Sequence, residues 1–196
     1  MAHSANARQQ PKERLSEETR RRLREAGALL LIPLAAYLLL CLFSYNDQDP
    51  SWGHAGSVQQ VRNFGGLVGA NIANLLRYVF GLAAYCFPLL LLLLGLQVLG
   101  QRGERLTARP WEPSLRLIGW VFFFITTPAL LYLNFDSPVL PQGVGGIVGM
   151  WVGQGLLDTF GIKGAPVLLL AVFLVAVTFA TGLSWFKVMD WTGQMV

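Results

Sequence analysis

Four stretches of this chain contain no Asp, Glu, Lys or Arg: Ala26 to Tyr45, Tyr78 to Gln101, Leu117 to Phe135 and Gly164 to Phe186. Polar and charged residues gather in the short blocks between them, so the apolar positions are massed rather than alternating along the chain. A bilayer core of ~30 Å is crossed by ~20 residues at the helical rise of ~1.5 Å, and each stretch is long enough to span it. Helices are predicted for all four, because every backbone N–H and C=O then bonds within its own segment. The six-leucine run Leu89 to Leu94 is apolar on all faces, which suits lipid better than a soluble core.

A second pattern lies between the stretches. Asn63 to Gly81 reads NFGGLVGANIANLLRYVFG, and eighty positions on, Gly143 to Gly161 reads GVGGIVGMWVGQGLLDTFG. Without a gap, Gly65-Gly66 falls on Gly145-Gly146, Val68-Gly69 on Val148-Gly149, Leu76 on Leu156 and Phe80-Gly81 on Phe160-Gly161. Such self-similarity marks a duplicated structural unit. The unit is an apolar span, an external turn, a glycine-rich helix and a second span. The predicted fold is therefore an all-α membrane protein. Its four transmembrane helices form two tandem hairpin repeats, each with a glycine-rich external or half-inserted helix, at about 63–77 and 143–160. Arg77 interrupts the first of these helices, Asp158 and Lys163 the second, and a Phe-Gly pair then bends the chain at Gly81 or Gly161 into the following span.

Small residues recur every four positions in both copies: Gly65, Gly69 and Ala73, then Gly145, Gly149 and Gly153. At 3.6 residues per turn each set lines one helix face. Glycine inside a helix costs ~1 kcal/mol relative to alanine, so a stripe of them points to a need for close backbone approach. Small-xxx-small packing between membrane helices is such a need. The sequence leaves open whether the stripes pack within one chain or between subunits.

Charge sets orientation. Residues 1–25 hold Arg8, Lys12, Arg14, Arg20, Arg21, Arg22 and Arg24; the turn between spans two and three holds Arg102, Arg105, Arg109 and Arg116; Lys187 follows span four. The other two connections hold Arg62, Arg77 and Lys163, twelve basic residues against three. The alternation predicts cytoplasmic N- and C-termini by the positive-inside rule. Residues 1–25 read as a basic cytoplasmic tail, with a polar start and a helix from Ser16, an N-cap followed by Glu17 and Glu18. Residues 26–187 form the membrane domain, and 188–196 read as the start of a cytoplasmic linker. Arg20-Arg21-Arg22 is assigned to anionic headgroups rather than to nucleic acid, since no aromatic residues interleave it for base stacking. The first span is too long for a signal-peptide core and lacks a small-x-small cleavage site.

Asn46, Asp47, Asp49, Pro50 and Trp52 form the first external turn, rich in turn formers, and Asn134 to Pro138 echoes it. Asp47 and Asp49 alone are a poor cation site. Cys41 and Cys86 lie within spans as small hydrophobes, with neither pairing nor ligand spacing. No GxxxxGK[ST], HExxH or CxxC is present, and the only histidines are His3 and His54. No catalytic residue, cofactor or metal is predicted. The spans carry no ionisable group of the kind that ion and proton pathways use. An anchoring and assembly domain is the favoured reading; the alternative is a subunit of an oligomeric pore or transporter. The final DWTGQMV reads as leading into something larger.

The segments Leu42 to Trp52 (LFSYNDQDPSW), Asn63 to Ala70 (NFGGLVGA), Phe80 to Pro88 (FGLAAYCFP), Ser114 to Gly119 (SLRLIG), Gly145 to Gly149 (GGIVG) and Thr181 to Trp185 (TGLSW) closely resemble the N-terminal membrane domain of the FtsK/SpoIIIE family of bacterial DNA translocases. The resemblance covers the chain after its tail. It implies four spans with both ends in the cytoplasm, a multi-pass place in the inner membrane at the division septum, and a role linking cell division to chromosome segregation. The partners it implies are membrane lipids, other copies of the chain in a hexamer, and other division proteins. DNA and ATP would be met only through a C-terminal motor that these residues do not include.

Overall fold

The computed structural model describes residues 10–50, 61–100, 112–135, 143–183, 189–190 and 193. Among the described residues every regular element is helical. Helix α1 runs from Gln10 to Phe43, α2 from Gly66 to Phe80, α3 from Cys86 to Gly100, α4 from Glu112 to Asn134 and α5 from Gly146 to Thr181, with a 3-10 turn over Gly81–Tyr85 joining α2 to α3.

Four segments, Glu25–Phe43, Gly66–Leu99, Ser114–Asn134 and Gly146–Thr181, are long and apolar enough to cross a membrane. Between 22% and 28% of the residues in their apolar windows are buried within the chain. Leaving so much apolar surface in water would forfeit the main driving force for folding, so lipid is the solvent that covers it. Leu89, at 54% exposure, is one of the leucine-run residues left for that contact.

Several boundaries differ from the sequence reading. Helix α1 starts at Gln10, before the expected cap at Ser16. Residues 10–15 read QPKERL, mostly good helix formers, and Pro11 falls in the first turn, where a missing N–H costs nothing. The two glycine helices begin three residues later than expected, at Gly66 and Gly146, both of which have positive φ (66° and 63°). Nor do the charged residues interrupt them. The first runs through Arg77 and the second through Asp158, and each breaks only at the glycine, Gly81 (φ 59°, ψ −134°) and Gly161 (φ 70°, ψ 175°). A side chain is disfavoured there by its clash with the following carbonyl; glycine has none to clash. After Gly81 the chain makes the 3-10 turn before α3, whereas after Gly161 the α-helix resumes directly. Pro166 sits in the second turn of that resumed arm.

Within the first hairpin α1 packs along α3; within the second α4 packs along α5. The hairpins meet through α2 against α5 and through the 3-10 turn against α4. Aromatic rings reinforce this seam: Phe87 stacks on Phe124 of α4 at 4.0 Å, and Phe80 meets the edges of Phe87 at 4.9 Å and Phe124 at 5.9 Å.

Candidate packing and assembly site

The first glycine stripe closes on the helix that precedes it. A Cβ placed on Gly69 would lie 2.6 Å from Asn63 Oδ1 and 2.7 Å from Cys41 Sγ, and one on Gly65 would run into the same sulfur. Ala73 and Cys41 are fully buried, in one cluster with Leu42 and Ala84. Cys41 is thus a packing partner of the stripe, its thiol unpaired.

Asn63 is the keystone. Its amide donates to the carbonyls of Cys41 (2.8 Å) and Ser44 (3.3 Å), which α1 leaves unsatisfied at its C-terminal end. Its Oδ1 accepts from Gly65 N–H at 2.9 Å, and its backbone carbonyl accepts from Gly66 N–H at 2.9 Å. One buried side chain thereby ties the end of α1 to the start of α2. Ser44 adds a second tie, donating to Leu40 O at 2.7 Å and accepting from Phe64 N–H at 2.9 Å. The phenols of Tyr37 and Tyr85 reach Gly65 O (3.0 Å) and Leu42 O (2.9 Å).

The external turn closes on the same point. Asn46 Oδ1 accepts from Gln48 N–H at 2.9 Å, a local Asx turn. Asp49 is only 2% exposed, and its two carboxylate oxygens accept from Arg62 N–H (2.8 Å) and Asn63 N–H (2.9 Å). Asp49 therefore clasps the backbone at Arg62 and Asn63 to the turn that follows α1. Asp47 is exposed, and Trp52 lies outside the described residues. Arg77 lays its guanidinium 4.5 Å from the Tyr45 ring centroid, which lets a cation sit in an apolar setting.

In the second hairpin the stripe meets backbone. Cβ atoms on Gly145 and Gly149 would both strike the carbonyl of Pro128 in α4; the Gly149 one would come 2.8 Å from Pro128 C. Gly153 faces the ring of Tyr132, at 2.7 Å from Cδ1. All three glycines are buried. Both stripes thus pack inside one chain, against α1 and α4, and neither lies bare for a neighbouring subunit. Sequence reasoning singled out the stripes but missed Asn63, Pro128 and Tyr132 as what they pack on. An asparagine two positions before a Gly-Gly pair was the available signal for the first.

Among the described residues the buried polar side chains are Asp49, Asn63 and Thr126, and each bonds backbone, Thr126 through Phe122 O at 2.8 Å. Four apolar helices in two glycine-hinged hairpins, with buried Asp49 and Asn63 closing a turn and a helix end, define a polytopic membrane scaffold. The family described as the 4TM region of DNA translocase FtsK/SpoIIIE matches residues 20–193, and the chain belongs to it. The chain is 37% identical over 175 residues to the DNA translocase FtsK of Pseudomonas putida, covering 89% of this chain and 21% of that protein. It is 38% identical over 177 residues to that of Pseudomonas aeruginosa (89% and 22%) and 33% identical over 172 residues to that of Shewanella oneidensis (88% and 19%). The chain spans about a fifth of these relatives' length, in their N-terminal region. No solved structure matches it. The chain is a multi-pass inner-membrane protein that corresponds to the membrane-anchor region of these DNA translocases.

Proposed function

We propose that this domain holds a DNA translocase at the division septum, with both ends in the cytoplasm, and is the platform on which copies associate and meet other division proteins. The observation that carries the reading is the match of residues 20–193 to the membrane region of a translocase family. The backbone bonds of buried Asp49 and Asn63 agree with it: they hold the first hairpin in shape. The twelve-to-three basic asymmetry supports the orientation. On this reading, DNA translocation is assigned to the part of the relatives' length that the chain does not cover, about four fifths of it. Phosphoryl transfer needs a phosphate cradle and a metal site, and no motif for either occurs in these 196 residues.

Expressing residues 1–196 as a fluorescent fusion in cells depleted of their own translocase tests the reading. Septal fluorescence with rescued septation is expected, and no ATP hydrolysis by the purified domain. Uniform membrane fluorescence would overturn the septal role, and DNA-stimulated hydrolysis would overturn the division of labour.

A further inference from the structure

The two hairpins meet at a backbone seam whose two sides each have a twin at the outer edges of the chain. On one side is the bend at Gly81, on the other the start of the second glycine helix at Gly146. Cβ atoms there would collide: one on Gly81 would meet Val144 O and lie 2.7 Å from Gly146 N, and one on Gly146 would lie 2.5 Å from Gly81 N and 2.7 Å from Val79 O. Leu82 N–H donates across the seam to Val144 O at 2.9 Å. The eighty-residue repeat maps Gly81 onto Gly161, Leu82 onto Ile162, Val144 onto Phe64 and Gly146 onto Gly66.

These twins carry the same backbone signature, Gly161 at φ 70° and Gly66 at φ 66°, yet neither has any described neighbour within 4 Å of its Cβ position. Their flanks are bare as well. Val144 is 6% exposed, while its twin Phe64 is 80% exposed and Ile162 is 84% exposed. Phe80 and Phe87 pack on Phe124 across the seam, whereas their twins Phe160 and Val167 stand exposed. The chain thus has one filled seam and, at its two ends, the two complementary halves of another.

A unit that crosses the membrane twice returns to its starting side, so both hairpins face the same way. The operation relating such parallel repeats is a rotation about the membrane normal. Applied once more, it carries the Gly161 edge onto the Gly66 edge of a second copy. We infer that copies of this chain associate head to tail through that seam, Gly161 and Ile162 of one against Phe64 and Gly66 of the next, in the register of Leu82 on Val144. The contact is heterologous, and successive copies form a ring in the membrane plane if the rotation closes. This inference rests on the assembly reading above and specifies its surface.

The test is thiol cross-linking in native membranes. F64C and I162C are placed on separately tagged chains and co-expressed, then treated with a short bifunctional thiol reagent. Cys41 is buried and Cys86 half-buried, so the unsubstituted chain gives the background. A mixed dimer should form from the co-expressed pair, and a ladder of multimers from F64C/I162C on one chain; F64C paired with L92C should give neither. Dominant dimers from F64C alone would mean a symmetric contact and would overturn the head-to-tail seam. The mass of the unsubstituted chain in mild detergent separates the remaining outcomes. Multimers without the mixed cross-link would overturn the seam and leave assembly standing, whereas a single-chain mass would refute the assembly reading and this inference with it.

Discussion

Gly149 and Gly155 lie on the same helix, and neither has positive φ, which makes them a matched pair for testing the stripe. Alanine at either position should gain the same intrinsic preference, up to about 1 kcal/mol. The surroundings differ. At Gly155 an added methyl meets nothing within 4 Å, while at Gly149 it strikes the Pro128 carbonyl and comes 3.3 Å from Tyr132 Cβ. These obstacles are the backbone and first side-chain atom of α4, so only a shift of the whole helix relieves them. Overpacking a filled interior costs about 1–3 kcal/mol. Because the preference gained is common to both variants, G149A should be less stable than G155A by about 1–3 kcal/mol, with G155A at or above the unsubstituted chain. Titration with SDS from a mild detergent, followed by far-ultraviolet circular dichroism, gives the two midpoints. Equal midpoints would refute the claim that α4 and α5 are pressed together at the stripe.

The loop clasp predicts a loss in D49N: the amide keeps one acceptor but turns an NH2 toward a backbone donor. The expected destabilisation is about 1.5–3 kcal/mol, read by the same titration, and an unchanged midpoint would mean that the clasp holds nothing. For topology, single cysteines at Gln48 and Gln142 should react with an impermeant thiol reagent in intact spheroplasts, and those at Thr107 and Gln194 only after permeabilisation. Labelling at Thr107 or Gln194 without labelling at Gln48 would reverse the orientation drawn from the basic residues.

The spans were legible in the sequence because charge-free length is a direct consequence of bilayer thickness. The bends were legible because Phe-Gly recurs in register, and Gly81 and Gly161 both take the positive φ that glycine permits. What the stripes pack on was not legible. Spacing shows that Gly65, Gly69 and Ala73 share a face, but the partner depends on how the neighbouring helix is rotated. The connections differ in length, 22 residues between α1 and α2 against 11 between α4 and α5, so the eighty-residue offset no longer relates α1 to α4. The roles of Cys41 and Pro128 were hidden for that reason: Cys41 reads as a generic small hydrophobe, and nothing in the spacing marks Pro128 as a packing partner. Asp49 reads from sequence as a turn former, and only its bonds to the backbone of Arg62 and Asn63 explain its burial.

What each glycine of the second stripe presses on also decides which heritable changes this domain can absorb. Gly153 faces a side chain, so a larger residue there can be offset by trimming Tyr132, and the two positions are free to drift as a pair. Gly145 and Gly149 face the carbonyl of Pro128, and every residue that could replace Pro128 carries the same carbonyl. No single exchange at that position makes room for them, so over generations these two sites are bound to glycine while the surface around them changes.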